Sequence, residues 1–135
     1  MARRIILDTG TLIAIERGKL DVDEVLGLDD AAISSVTAMA LLVGVERADE
    51  AHKQARSVRV EAVLASLPIE DYTLAVARIH ARLAVQAMST GKPRSAYDLM
   101  IAATAAATNR ILLTTDARAE FNQLAGVRSE VVLIP

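Results

Sequence analysis

The sequence predicts a three-layer α/β domain, with a central, mostly parallel five-stranded sheet and helices on both faces, spanning residues 1–135 as a single unit. Three observations lead there. Short aliphatic runs alternate with longer helical periodicities along the whole chain. No two of these runs are joined by a hairpin linker, so the order is that of successive right-handed β-α-β crossovers. The composition is 53% hydrophobic but only 2% aromatic, and much of it is alanine. That suits closely packed helices and opposes an all-β sandwich or barrel. A chain of 135 residues has room for one core and not two.

The elements follow in order. Residues 3–7 are a β-branched and aliphatic run stopped by Asp8, and read as a buried strand. Residues 9–16 (TGTLIAIE) carry Leu12, Ile13 and Ile15 and form a short helix ended by Gly18. A second short helix covers 21–26 with Asp21 as its cap. Residues 31–34 are the second strand. The stretch 36–47 (VTAMALLVGVER) is a helix with charges only in its last turn. Its surface between Val36 and Val45 is apolar nearly all round, so it is either internal or faces a partner. A polar amphipathic helix over 50–64 and a short strand at 68–69 come next. Tyr72, Ala75, Val76, Ile79 and Leu83 then mark one face of a helix over 72–88. The segment 89–94 (STGKPR) is the clearest loop. Ser95 starts an alanine-rich helix that runs to Thr108 and is closed by Asn109. A strand over 111–113, a short helix over 118–124 ending at Gly126, and a last strand over 131–134 complete the chain.

Composition narrows the function. Cysteine is absent, which excludes disulfide scaffolds, thiolate zinc sites and cysteine nucleophiles, and fits a reducing cytoplasm. Two histidines, His52 and His80, are too few for a histidine-rich metal site and take no role here. The net charge of −2 excludes a broadly basic nucleic-acid binder. It is compatible with a nuclease, whose acidic site needs a divalent cation and coexists with local arginines. No apolar run approaches the roughly 18 residues of a membrane span. Asp8 likewise interrupts the Arg3-Arg4-Ile-Ile-Leu start before it can serve as a signal peptide. The expectation is a soluble protein with no membrane partner.

Three aspartates stand out. In open parallel sheets, sites form outside the carboxyl ends of the strands. Asp8 ends the first strand and Asp116 follows the fourth by about two residues. Asp98 lies in the first turn of the helix after the STGKPR loop. Each has a structural account of its own: Asp8 as an Asx turn, Asp98 with Ser95 as an S-x-x-D helix start, Asp116 as an N-cap. Together they suggest converging carboxylates, which repel one another unless protons or a cation intervene. Oxygen-only ligands favour Mg²⁺ or Mn²⁺ over zinc, and such ions support hydrolysis of a phosphodiester. A competing enzyme reading takes Asp8-Thr9-Gly10 as the loop of a retroviral-type aspartic protease. The long alanine-rich helices oppose it.

The segments IILDTGTLIA at 5–14, SSVTAMALLVGV at 34–45, YDLMIAATA at 97–105 and LLTTDARAEF at 112–121 resemble PIN domains. In particular they look like the VapC-type ribonuclease toxins of bacterial toxin–antitoxin pairs. The likeness runs in order over nearly the whole chain. It implies a PIN-like fold and Mg²⁺-dependent endoribonuclease activity, with Mn²⁺ as the alternative ion. It also implies an RNA substrate, a cognate VapB-type antitoxin, a homodimer, and the cytoplasm of a bacterium or archaeon. Asp8, Asp98 and Asp116 fall on the family's acidic, metal-binding positions, and Thr114 on the hydroxyl position of its T-x-D motif. The family's further glutamate, in the helix after the second strand, is replaced by Ala40, while Thr37, Leu41 and Gly44 around it match. Gly10 stands where Asn or Ser is commoner. Ala40 therefore implies a weakened or inactive nuclease, and makes a non-catalytic module that binds RNA or antitoxin the main alternative. Arg17, Lys19, Lys92 and Arg94 lie in loops that reach the carboxyl edge of the sheet, where they serve either as phosphate contacts or as solvated surface charge. The 36–64 helices are the expected groove for a small basic or amphipathic antitoxin.

Overall fold

The computed structural model describes residues 2–92 and 94–135. Pro93, in the expected 89–94 loop, lies outside the described residues. Among them, five strands form one sheet: β1 (Arg4–Leu7), β2 (Asp30–Ser34), β3 (Ile69–Glu70), β4 (Ile111–Thr114) and β5 (Ser129–Val131). Their order is β3-β2-β1-β4-β5, and every pairing is parallel. The helices are α1 (Thr9–Glu16), α2 (Val22–Leu26), α3 (Ser35–Arg47), α4 (Glu50–Ser66), α5 (Leu74–Thr90) and α6 (Ala96–Ala107).

The layers follow from strand alternation. Successive side chains of a strand point to opposite faces. Ile5 and Leu7 pack on one side with Leu12 of α1, Ala38, Leu41 and Val45 of α3, and Val60 of α4. Ile6 and Leu112 pack on the other with Val76 and Leu83 of α5 and Leu99, Ala102 and Ala103 of α6. Covered on both faces, β1 reads as an unbroken apolar run, as the sequence showed. The chain lays β1, β2 and β3 outward in one direction, then returns to place β4 and β5 on the other side of β1. The connections leaving β1 and β4 therefore diverge at the carboxyl edge. Among the described residues, no helix is long and apolar enough to cross a membrane.

Several elements differ from expectation for identifiable reasons. The last strand is Ser129–Val131 and not 131–134. Its register is fixed by β4, with Leu112 facing Ser129 and Thr114 facing Val131. The ladder ends where β4 ends, with the Val132 N–H donating to the Thr114 carbonyl at 2.7 Å, and Leu133 is left 82% exposed. The helix expected over 118–124 is two 3₁₀ turns, Ala117–Ala119 and Phe121–Gln123, separated by Glu120 at φ 48. Tyr72 precedes α5, which Thr73 caps, and its ring turns to His80. Helix α5 runs on to Thr90 and stops at Gly91, whose φ of 68 is the left-handed conformation that glycine tolerates best. Helix α3 is buried along Thr37, Ala38, Leu41 and Val45 but exposes Leu42 and Val43.

Arg110, immediately before β4, is 4% exposed. Its guanidinium donates to the Ile5 carbonyl at 3.1 Å, the Asp30 carbonyl at 2.8 Å and Glu70 Oε1 at 3.2 Å. One side chain thus ties β4 to β1, β2 and β3. Removing it leaves the Ile5 and Asp30 carbonyls without their donor and Glu70 without its partner, and an unsatisfied buried acceptor costs about 1–3 kcal/mol. Arg110→Ala is expected to lower stability by that order, read as a drop in the urea midpoint with unchanged slope.

Candidate active site

The three aspartates are set by the helix starts they serve. Asp8 follows β1 and caps α1, its Oδ1 accepting the Thr11 N–H at 2.8 Å. Its own N–H donates to the Leu113 carbonyl at 3.1 Å, and the Thr11 hydroxyl donates to the same carbonyl at 3.1 Å. The chain leaving β1 is thereby tied to β4. Asp116 caps the 3₁₀ turn after β4, its Oδ1 accepting from the N–H groups of Arg118 and Ala119 at 3.0 and 3.2 Å. Asp98 is the third residue of α6, and its N–H donates to the capping Ser95 hydroxyl at 3.0 Å.

All three line one cavity of about 340 Å³ at the carboxyl edge, shared with Thr9, Gly10, Ala40, Tyr97 and Thr115. Burial pushes the Asp98 carboxyl above its usual range. The charges of Asp116 and Asp8 push the same way, while the Ser95 hydrogen bond and Arg94 oppose. A site that strains an anion in this manner favours a cation. Its donors are oxygen alone, which suits Mg²⁺ or Mn²⁺. Among the described residues, no three acidic or imidazole side chains stand close enough together, as placed, to hold a metal ion directly. One oxygen each of Asp8 and Asp116 is held by a cap, and the other accepts no hydrogen bond among the described residues. Carboxylates that share a cavity and keep one oxygen free suit an ion that retains several waters.

Other expected residues fall in different places. Thr114 is buried off the cavity wall, and its hydroxyl accepts the Asp116 N–H at 3.0 Å. It therefore acts on the turn that aims Asp116. Thr115 faces the cavity instead, and a Cβ on Gly10 would stand 3.2 Å from its hydroxyl. Ala40 reaches the cavity from α3, and also lines a neighbouring groove of about 390 Å³ between α1, α3 and α4. Arg17 lies in that groove with Arg56 and with Arg59, which pairs with Glu16 at 3.2 Å.

Lys92 and Arg94, expected as either phosphate contacts or surface charge, both have partners within the protein. Lys92 pairs with Glu120 at 2.8 Å, and Arg94 donates to the Ala119 and Glu120 carbonyls. Lys19 is exposed and off the cavity wall. The sequence reading missed the hydroxyl chain beneath the site: Thr9 to Thr37 at 3.2 Å and Ser34 to Thr37 at 3.3 Å. The fully buried Thr37 ties the start of α1 to the start of α3. Thr37 was marked only by its match to the family, and no local pattern announces a contact between residues so far apart. Asp8-Thr9-Gly10 opens a helix within a parallel sheet, which removes the aspartic-protease reading.

The PIN domain pattern matches residues 5–127. The chain belongs to the PIN domain family. Among the relatives of this PIN domain, Ribonuclease VapC1 of Rickettsia felis is 32% identical over 130 residues, covering 91% of this chain and 92% of its own. The tRNA(fMet)-specific endonuclease VapC of Shigella flexneri is 28% identical, covering 94% and 96%. In three dimensions, a VapC-containing crystal structure, DNA-bound VapBC from Salmonella typhimurium, superposes with a TM-score of 0.86 at 28% identity, covering 97% of this chain and 98% of that one. The three-layer architecture with its parallel five-stranded sheet is thus the PIN-like fold.

The Asp98 environment has a measurable consequence. A carboxyl whose folded pKa is raised contributes stability while protonated, and loses it as pH rises through the folded value. Asn cannot ionise. Without divalent ions, Asp98→Asn is therefore expected to raise Tm at about pH 7. The gain should vanish in acid below the ordinary carboxylate range. Equal differences at both pH values in calorimetric melts would contradict the assignment.

Proposed function

We propose that this PIN domain is a divalent-metal-dependent endoribonuclease of the VapC kind, acting as the toxin of a toxin–antitoxin pair. The observation that carries the reading is the meeting of Asp8, Asp98 and Asp116 in one cavity at the point where the strand order reverses. These three would hold the ion. Mg²⁺ or Mn²⁺, when bound, neutralises charge on a phosphodiester and lowers the pKa of water. The protein's own part is positioning. Thr114 fixes the backbone of Asp116, and the Thr9–Thr37–Ser34 chain sets α1 against α3. The relatives' names, ribonuclease and endonuclease, support RNA as the substrate.

Ala40 qualifies the activity. It lines the cavity where the family resemblance places a glutamate, and it offers no oxygen. That favours slow catalysis, and it supports the second reading of a non-catalytic module that binds RNA or antitoxin. A VapB-type partner is supported by the VapBC complexes among similar structures. The α1–α3–α4 groove carries three arginines against one glutamate, so of the basic or amphipathic segment expected from sequence it suits an amphipathic one with acidic residues. A homodimer is supported by Leu74, Val85 and Met88, exposed along one side of α5. The absence of cysteine supports a cytoplasmic location.

Two outcomes are expected. Calorimetric titration with Mn²⁺ should give heats that an Asp8→Asn, Asp98→Asn double variant loses; equal heats would remove the shared site. Ala40→Glu should raise EDTA-sensitive cleavage of RNA by about 10²- to 10⁴-fold, the usual contribution of a positioned acid–base group. Adding Asp98→Asn to it should abolish the gain. A folded Ala40→Glu chain that cuts no faster would favour the binding module.

A further inference from the structure

We propose that Tyr97 is a stacking platform for an unpaired nucleobase at the mouth of the acidic cavity, an assignment that rests on the RNA reading above. The chain has three aromatic side chains, Tyr72, Tyr97 and Phe121. Phe121 is 3% exposed in the core. Tyr72 is committed to His80, with a hydroxyl–Nδ1 distance of 2.7 Å and ring centroids 5.9 Å apart, edge to face. Tyr72 is thus exposed at 43% but partnered, whereas Tyr97 is exposed without a side-chain partner among the described residues. It is 58% exposed, lines the cavity that holds the three aspartates, and makes no side-chain hydrogen bond among the described residues.

The electrostatics explain why an aromatic ring is useful there. Three carboxylates repel a phosphate backbone, and a bound cation compensates chiefly for the one phosphate it touches. Of the loop cations before α6, Lys92 pairs with Glu120 and Arg94 with the Ala119 and Glu120 carbonyls. A contact that does not depend on charge would hold a neighbouring nucleotide on this side of the cavity without opposition from the carboxylates. Stacking on a ring face is such a contact, and it tolerates any base. Tyr97 and Asp98 are consecutive in the first turn of α6, so the ring stands at a fixed spacing from a metal-binding carboxylate. A base held there sets which phosphate lies over the aspartates. Only a splayed-out base can reach the ring, so the substrate is single-stranded or looped at that nucleotide.

The test is binding of a fluorescently labelled, unpaired RNA decamer, with Ca²⁺ in place of Mg²⁺ to supply an oxygen-seeking ion. The intact chain is compared with Tyr97→Phe and Tyr97→Leu. Each is then assayed on decamers in which one abasic ribose is walked along the strand. Tyr97→Phe should bind within about twofold of the intact chain, and Tyr97→Leu at least about fivefold more weakly. One abasic position should weaken the intact chain by a similar factor while leaving Tyr97→Leu unaffected. That non-additivity reports a ring–base contact, which a purely structural role would not produce. The assignment is overturned if Tyr97→Leu binds as tightly as the intact chain, or if abasic losses add to the Leu loss at every position. It is also overturned if Tyr97→Leu changes only the oligomeric mass in light scattering. If the intact chain binds none of the decamers, the RNA reading falls together with this one.

Discussion

Parallel pairing between β1 and β4 is the constraint on which the site depends. It joins strands from opposite ends of the chain and reverses the direction in which the sheet grows. The segments leaving the two strands must then part, and the crevice between them needs no further device. The Leu113 carbonyl fixes the depth of that crevice, because it accepts both the Asp8 N–H and the Thr11 hydroxyl. A slip of one residue between these strands would turn Leu7 and Leu113 to the wrong face and carry Asp8 away from Asp116. Core packing and site geometry are therefore set by the same register.

The aspartates show that structural and chemical roles need not compete. A helix start presents unpaired N–H groups, and an aspartate satisfies them with one oxygen. Asp8 and Asp116 do so, and the second oxygen of each remains uncommitted. The capping bonds hold these two side chains in place, so mutual repulsion does not swing them away from the cavity. Asp98 bears the cost, since it is the carboxylate whose ionised form burial and its neighbours disfavour. The cavity is in this sense poised for a positive charge by the fold alone.

What could be read from sequence divides along physical lines. Buried strands such as β1 and β4, and helices with a long apolar periodicity, declare themselves because burial dictates residue type at every position. The candidate aspartates were legible for a related reason: strand ends and helix starts are marked by composition. The edge strand β5 was not, because an edge with one neighbour tolerates Ser129 and Glu130, and its bounds are imposed by β4. Nor could the fate of Lys92 and Arg94 be read. It depends on Glu120, whose carbonyl and carboxylate are turned toward them where the two 3₁₀ turns meet. Tyr97 and Tyr72 look alike in sequence, and only the tertiary structure gives one a histidine and the other open solvent.

Ala40 sits at the boundary between two spaces. It borders both the acidic cavity and the arginine-lined groove, so the two spaces adjoin through a methyl group. A long carboxylate in that position would stand between them, adding negative charge to one and closing part of the other. With alanine, the way from the groove to the aspartates carries no carboxylate at position 40, and the groove's own Glu16 is paired with Arg59. Under the proposed function, the substitution thus acts in two directions: it removes an oxygen from the metal's surroundings and lessens repulsion toward the approaching strand. On that proposal, weak turnover with retained binding is the combination these two effects would produce.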